Sequence, residues 1–81
     1  MAQKHVTIYS TPTCHFCHMA KDFFAEKGIE YTAYDVASDA AKRAEMIQLT
    51  GQLGVPVIVI DSDITVGFER SRLAQKLGIE A

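Results

Sequence analysis

His5-Val-Thr-Ile-Tyr-Ser-Thr-Pro-Thr-Cys-His-Phe-Cys17 is where this chain changes from one side-chain period to another. Residues 5 to 9 alternate, with Val6 and Ile8 on one face, which predicts a strand. Ser10-Thr11-Pro12-Thr13 then has the composition of a loop. From His15 to Lys27 the spacing becomes helical. Phe16, Met19, Ala20, Phe23 and Phe24 share one face, and His15, His18, Lys21, Asp22 and Glu26 take the other. Gly28 supplies a left-handed stop. A strand therefore runs into a helix at Cys14.

Outward from this unit, Tyr31 to Val36 is aromatic and β-branched and predicts a second strand. Ser38 stands as the N-cap of a helix running to about Thr50, closed by Gly51. Strand, helix and strand within about 30 residues imply a parallel βαβ unit with a right-handed crossover. Pro56-Val57-Ile58-Val59-Ile60 has no polar position, as expected of an interior strand covered on both faces. Asp61-Ser62-Asp63 is turn chemistry, and Ile64-Thr65-Val66 is the return arm of a hairpin. Gly67 and Phe68 lead into a last helix with Leu73 and Leu77 inward and Gly78 past its end. The order is βαβαββα: an α/β fold with a four-stranded mixed sheet flanked by three helices, in one domain over residues 1–81.

Composition narrows the function classes. With 48% hydrophobic and 22% charged residues, the chain is too apolar to be disordered and can bury a core without a staple. Its net charge of −2 is spread along the sequence, so no basic stripe offers itself to nucleic acid. Met1-Ala2-Gln3-Lys4 leads directly into the first strand with no signal-peptide pattern, and no apolar run is long enough for a bilayer. A cytoplasmic monomer that binds neither membrane nor nucleic acid is expected. In a reducing compartment, two close cysteines are more often catalytic or metal-binding than structural.

Cys14 falls where the loop becomes the helix. The N–H groups of the opening turn and the positive end of the helix dipole face its sulfur, which favours the thiolate, the nucleophilic form. Cys17, one turn on, can reach Cys14 but lies deeper, partly shielded by Phe16; its place is to resolve a mixed disulfide rather than to start one. Structural zinc needs four ligands, and only His5, His15 and His18 accompany the two cysteines. Cys14-x-x-Cys17-His18 also matches covalent haem attachment, with Met19 or Met46 as axial ligand, although the buried strand from Val57 to Ile60 suits a helical haem wrapper poorly. The plainest alternative is two cysteines packed in a core. His15 and His18 lie on the polar face, exposed or in a proton-transfer role, and His15 can raise the thiolate fraction electrostatically. At Gly54-Val55-Pro56, proline opens a buried strand in a loop beside Cys14; a cis Val55–Pro56 bond would turn the Val55 backbone towards an extended ligand.

Ser10-Thr-Pro-Thr-Cys-His-Phe-Cys17, Gly54-Val-Pro56 and Val66-Gly-Phe68 together resemble the glutaredoxin family of the thioredoxin superfamily, in the right order and over nearly the whole chain. Asp39 to Met46 is similar to the second helix of that family. The resemblance implies a thioredoxin-like fold and a thiol-disulfide oxidoreductase acting on protein disulfides or glutathione mixed disulfides. It implies Cys14 as nucleophile, Cys17 as resolving thiol, Pro56 in cis, and glutathione as co-substrate with no bound cofactor or metal. The substrate or glutathione contacts it implies are Thr11, His15, Phe16, Val55, Pro56, Gly67, Phe68, Glu69 and Arg70. Many members carry a lysine shortly before the first cysteine, where Thr11 and Pro12 are neutral here. Val66-Gly-Phe-Glu-Arg70 also resembles redoxins that take electrons from thioredoxin reductase. A third reading has the two thiolates hold an iron-sulfur cluster across a dimer.

Overall fold

A computed structural model describes residues 5–79. The readings placed on Met1 to Lys4, and the two ends of the domain assigned to 1–81, lie outside those residues. Seven elements follow in the expected order. They are β1 (Val6–Ser10), α1 (His15–Glu26), β2 (Thr32–Asp35), α2 (Ala40–Thr50), β3 (Val57–Ile60), β4 (Asp63–Val66) and α3 (Arg70–Leu77). The sheet order is β2-β1-β3-β4. β1 and β2 pair in parallel, as a βαβ crossover requires, and the β1/β3 and β3/β4 pairs are antiparallel.

Period-two alternation divides the sheet between two cores. On one face Val6, Ile8, Ile58 and Ile60 meet Ala20, Phe23 and Phe24 of α1 and Leu73 and Ala74 of α3. On the other, Tyr9 and Val57 meet Val36 and Met46 of α2. Burying an apolar side chain of this size contributes about 1.5–3 kcal/mol, so these two layers hold the domain. Because β1 and β3 are central and covered on both sides, the loops that leave their ends start from backbone held by a neighbour on each side.

Ser10 joins β1, and Val36 and Pro56 fall outside β2 and β3; three further boundaries differ from the sequence reading for a local reason. Asp39, not Ser38, caps α2: its Oδ1 accepts the Lys42 N–H at 3.1 Å, and the turn before it is closed by the Asp35 carbonyl, which accepts the N–H groups of Ser38 at 3.3 Å and Asp39 at 3.0 Å. Tyr31 stands before β2 and packs its ring on Phe24, 5.3 Å between centroids, rather than joining the ladder. Asp63 belongs to β4, where it pairs with Ile60, and Asp61 alone takes the left-handed conformation at φ 55°. Aspartate visits that region more readily than most residues, and here its Oδ1 reaches across to accept the His5 N–H at 2.9 Å, 56 residues away in the chain. Gly51 closes α2 as expected, at φ 75°, where a side chain would be strained.

Candidate active site

Cys14 is the N-cap of α1. Its backbone is extended (φ −84°, ψ 115°), and its Sγ accepts the Cys17 N–H at 3.2 Å. The sulfur thus takes the place that an aspartate or serine oxygen has in an ordinary cap, satisfying a donor that the first helical turn would leave unpaired. A turn holds it from behind: the Cys14 N–H donates to the Thr11 carbonyl at 3.3 Å.

The two thiols are free and unlike in surroundings. Cys14 is partly exposed, whereas Cys17 is 0% exposed. Burial, the hydrogen bond with Cys14 and the charge on Cys14 push the Cys17 thiol up to about 11, against smaller opposing effects from the Thr11 backbone and Lys21. One sulfur meets solvent with a backbone donor on it, and the other waits behind it as a thiol.

The apolar face of α1 is turned from the one read in the sequence. Cys17, Ala20, Phe23 and Phe24 are buried, while Phe16 is 55% and Met19 is 38% exposed. At 100° per residue, Met19 lies more than a quarter-turn from the middle of the buried stripe. Phe16 belongs to the first turn and sets its ring against that of His15 at 5.6 Å. An exposed phenylalanine between the cysteines leaves apolar surface beside the accessible sulfur.

The second wall of the site comes from β3. The Val55–Pro56 bond is cis, and Val57 pairs with Tyr9 of β1; carried one step further, this register sets Pro56 beside Ser10, at the start of the thiol loop. The Pro56 carbonyl accepts the Gly67 N–H at 2.8 Å. Gly67 turns the chain out of β4 at φ 91°, a conformation open to glycine. Thr11, Cys14, Cys17, Val55, Pro56 and Gly67 are therefore gathered at one end of the sheet. Phe68, Glu69 and Arg70 are directed differently. Phe68 packs on Phe23 with centroids 6.1 Å apart, and Glu69 pairs with Arg72 at 3.3 Å. Arg70 pairs with Glu26 at 2.9 Å and lies 4.8 Å over the Phe23 ring.

One contact escaped the sequence reading. His18, assigned to the polar face, uses its Nε2 on the Pro12 carbonyl at 2.8 Å. The signal available was its position four residues after Cys14, one turn on from the start of the helix and so within reach of the loop that precedes it. Among the described residues no three His, Cys, Asp or Glu side chains gather into a group suited to a metal ion, and no helix is long and apolar enough to cross a membrane.

Comparison with known proteins agrees with this geometry. A family model described as Glutaredoxin matches residues 6–64. The chain is 44% identical over 68 residues, 84% of its length and 91% of the relative's, to an uncharacterized glutaredoxin-like 8.6 kDa protein in the rubredoxin operon of Clostridium pasteurianum. It is 41% identical over 58 residues to glutaredoxin 3 of Escherichia coli strain K12, covering 72% of this chain and 70% of that one. Among solved structures, a mutant of the thioredoxin-like protein BC3987 superposes with a TM-score of 0.87 at 32% identity, over 93% of this chain and 96% of the other.

Proposed function

Because this chain belongs to the glutaredoxin family, and is thereby a thiol-disulfide oxidoreductase, we propose that it reduces glutathione mixed disulfides and protein disulfides, with glutathione as its reductant. Cys14 attacks and Cys17 resolves. The observation that carries this division is the contrast between a partly exposed sulfur on a backbone N–H and a fully buried thiol one turn behind it.

The chemistry follows from those positions. The Cys14 thiolate attacks one sulfur of the target disulfide, forming a mixed disulfide and expelling the other sulfur as a thiolate, which takes up a proton. Cys17 then gives up its proton and attacks the Cys14 sulfur, releasing the second target thiol and closing a Cys14–Cys17 disulfide. Part of what holds Cys17 protonated is its contact with Cys14, and the negative charge there is gone once Cys14 is bonded to the target. Two glutathione molecules return the pair to dithiol and leave as glutathione disulfide. With a glutathione mixed disulfide as substrate, a second glutathione can resolve Cys14 without Cys17. The Val55 backbone, in the loop that Gly67 braces through the Pro56 carbonyl, supplies the wall on which an extended ligand lies. The protein is read as a cytoplasmic monomer.

One observation favours thioredoxin reductase as the electron donor instead. Arg70, the cation available for a glutathione carboxylate, is engaged by Glu26 and Phe23, and Thr11 and Pro12 before the thiol are neutral. Turnover of a small glutathione mixed disulfide, followed by NADPH consumption, separates the two. Activity with glutathione and its reductase supports glutathione as donor. Activity only with thioredoxin reductase rejects it and keeps the thiol chemistry.

A further inference from the structure

The loop that carries the chain from β1 to Cys14 is held by a side chain of the helix it precedes. Nε2 of His18 lies 2.8 Å from the Pro12 carbonyl oxygen. A carbonyl oxygen only accepts, so Nε2 bears the proton, and the neutral ring is the Nε2–H tautomer with Nδ1 bare. His18 is four residues after Cys14, so the two share a helix face, and helical side chains lean towards the N-terminus. The partner of the imidazole, Pro12, stands two residues before Cys14 in the turn that leads to the thiol. The turn that His18 grips is also tied to the backbone of the thiol residue: the Thr11 carbonyl accepts the Cys14 N–H at 3.3 Å.

We propose that His18 is a positioning residue of the redox site: its Nε2–H, donated to the Pro12 carbonyl, fixes the Thr11 to Cys14 turn and so keeps the Cys14 sulfur on the Cys17 N–H. This rests on Cys14 being the attacking thiol. The imidazole acts as a hydrogen-bond donor to backbone; neither its charge nor transfer of its proton is required. His18 therefore differs from a histidine that activates a thiol by proximity of charge, for which an uncharged donor would be no substitute.

The test is the rate at which iodoacetamide alkylates Cys14 in the reduced full chain, read by peptide mass spectrometry, for the wild type, His18→Ala and His18→Gln. The glutamine amide reaches the same carbonyl as an uncharged donor. His18→Ala should slow alkylation about fivefold, as expected for one hydrogen bond lost from the support of the thiolate. His18→Gln should return the rate to within about twofold of the wild type, since its amide keeps the donor. Equal rates in all three chains would overturn the proposal, and so would equal slowing in both variants, which would mean that the ring acts through its charge. Long-range nitrogen–proton NMR should find the Nε2–H tautomer; the Nδ1–H tautomer would overturn the proposal independently. A wild-type Cys14 no faster than Cys17 would sink the attacking-thiol assignment and the His18 role together, a result distinct from each of the others.

Discussion

The Tyr9 hydroxyl donates to the carboxylate of Glu45, joining the strand that leads into the thiol loop to the helix that leads into the Val55–Pro56 loop. The bond is one side of a closed circuit. Lys42 Nζ bonds Glu45 at 3.3 Å and sits 4.1 Å over the Tyr34 ring, and the Tyr34 ring lies 5.6 Å from that of Tyr9. Glu45 is held below the ordinary carboxylate range, first by the Tyr9 hydroxyl and then by Lys42. Burial and Glu45 both push the Tyr9 phenol upward.

Tyr9→Phe removes the donor and should cost about 1 kcal/mol of stability, within the range of a single buried hydrogen bond. The pH dependence has a definite sign. A phenol raised in the folded state ionises first in the unfolded chain, so its contribution is complete below the ordinary tyrosine value near 10 and declines as pH rises above it. Urea denaturation at pH 8 and pH 11 should therefore show a loss of stability in the wild type that is smaller in Tyr9→Phe.

The thiols should differ sharply in reactivity. At pH 8 a thiol pushed up to about 11 is ionised in roughly one molecule per thousand. Cys17 is also closed to solvent. Iodoacetamide should label Cys14 alone in the folded reduced protein and both cysteines in urea. Labelling of Cys17 at a comparable rate in the folded state would contradict the burial asymmetry.

Replacement of each sulfur should divide the activity unequally. Cys14→Ser should abolish turnover on every disulfide, since a hydroxyl with no activating base cannot stand in for a thiolate. Cys17→Ser should keep reduction of a glutathione mixed disulfide to within about threefold, because external glutathione resolves the adduct. It should lose about an order of magnitude or more on an intramolecular protein disulfide and trap a Cys14-linked complex visible on a non-reducing gel. Equal losses on the glutathione substrate would mean a strictly dithiol mechanism.

The cap of α2 offers a test of local structure. Asp39→Ala should lower stability by about 1 kcal/mol, and Asp39→Asn by less, because asparagine also accepts the Lys42 N–H. Ser38→Ala should stay within about 0.5 kcal/mol of the wild type, as for a surface position with no cap to lose. Thermal denaturation of the three variants decides the matter.

What the sequence made legible was what local chemistry encodes. The unbroken apolar run from Val57 to Ile60, the glycines at 51 and 78 and the placing of Cys14 at a helix start each carry a short-range physical cause, and the elements follow from them. The choice between Ser38 and Asp39 was not legible, since both are good caps and the turn from Asp35, whose carbonyl accepts both N–H groups, sets which side chain reaches the Lys42 N–H. Phe16 and Met19 were misplaced because hydrophobicity fixes a helical face only to within a residue or two; which residues are covered depends on where the helix meets the sheet. The Tyr9 to Glu45 bond spans 36 residues and the Arg70 to Glu26 bond 44, with no local pattern announcing either. Arg70 offered as a ligand contact and Arg70 held by Glu26 look identical in one dimension.

The placement of β1 between a parallel and an antiparallel neighbour has a kinetic meaning for the site it feeds. β2 and β4 each have one open edge and can fray, but the amides that β1 and β3 exchange between them are freed only when the buried centre of the sheet opens, an event close to global unfolding. Cys14 follows β1 after a loop of three residues, Thr11 to Thr13. The Cys14 sulfur is thus tethered to the inner ladder of the sheet, and fraying at the rim does not open the strand pair from which its loop departs.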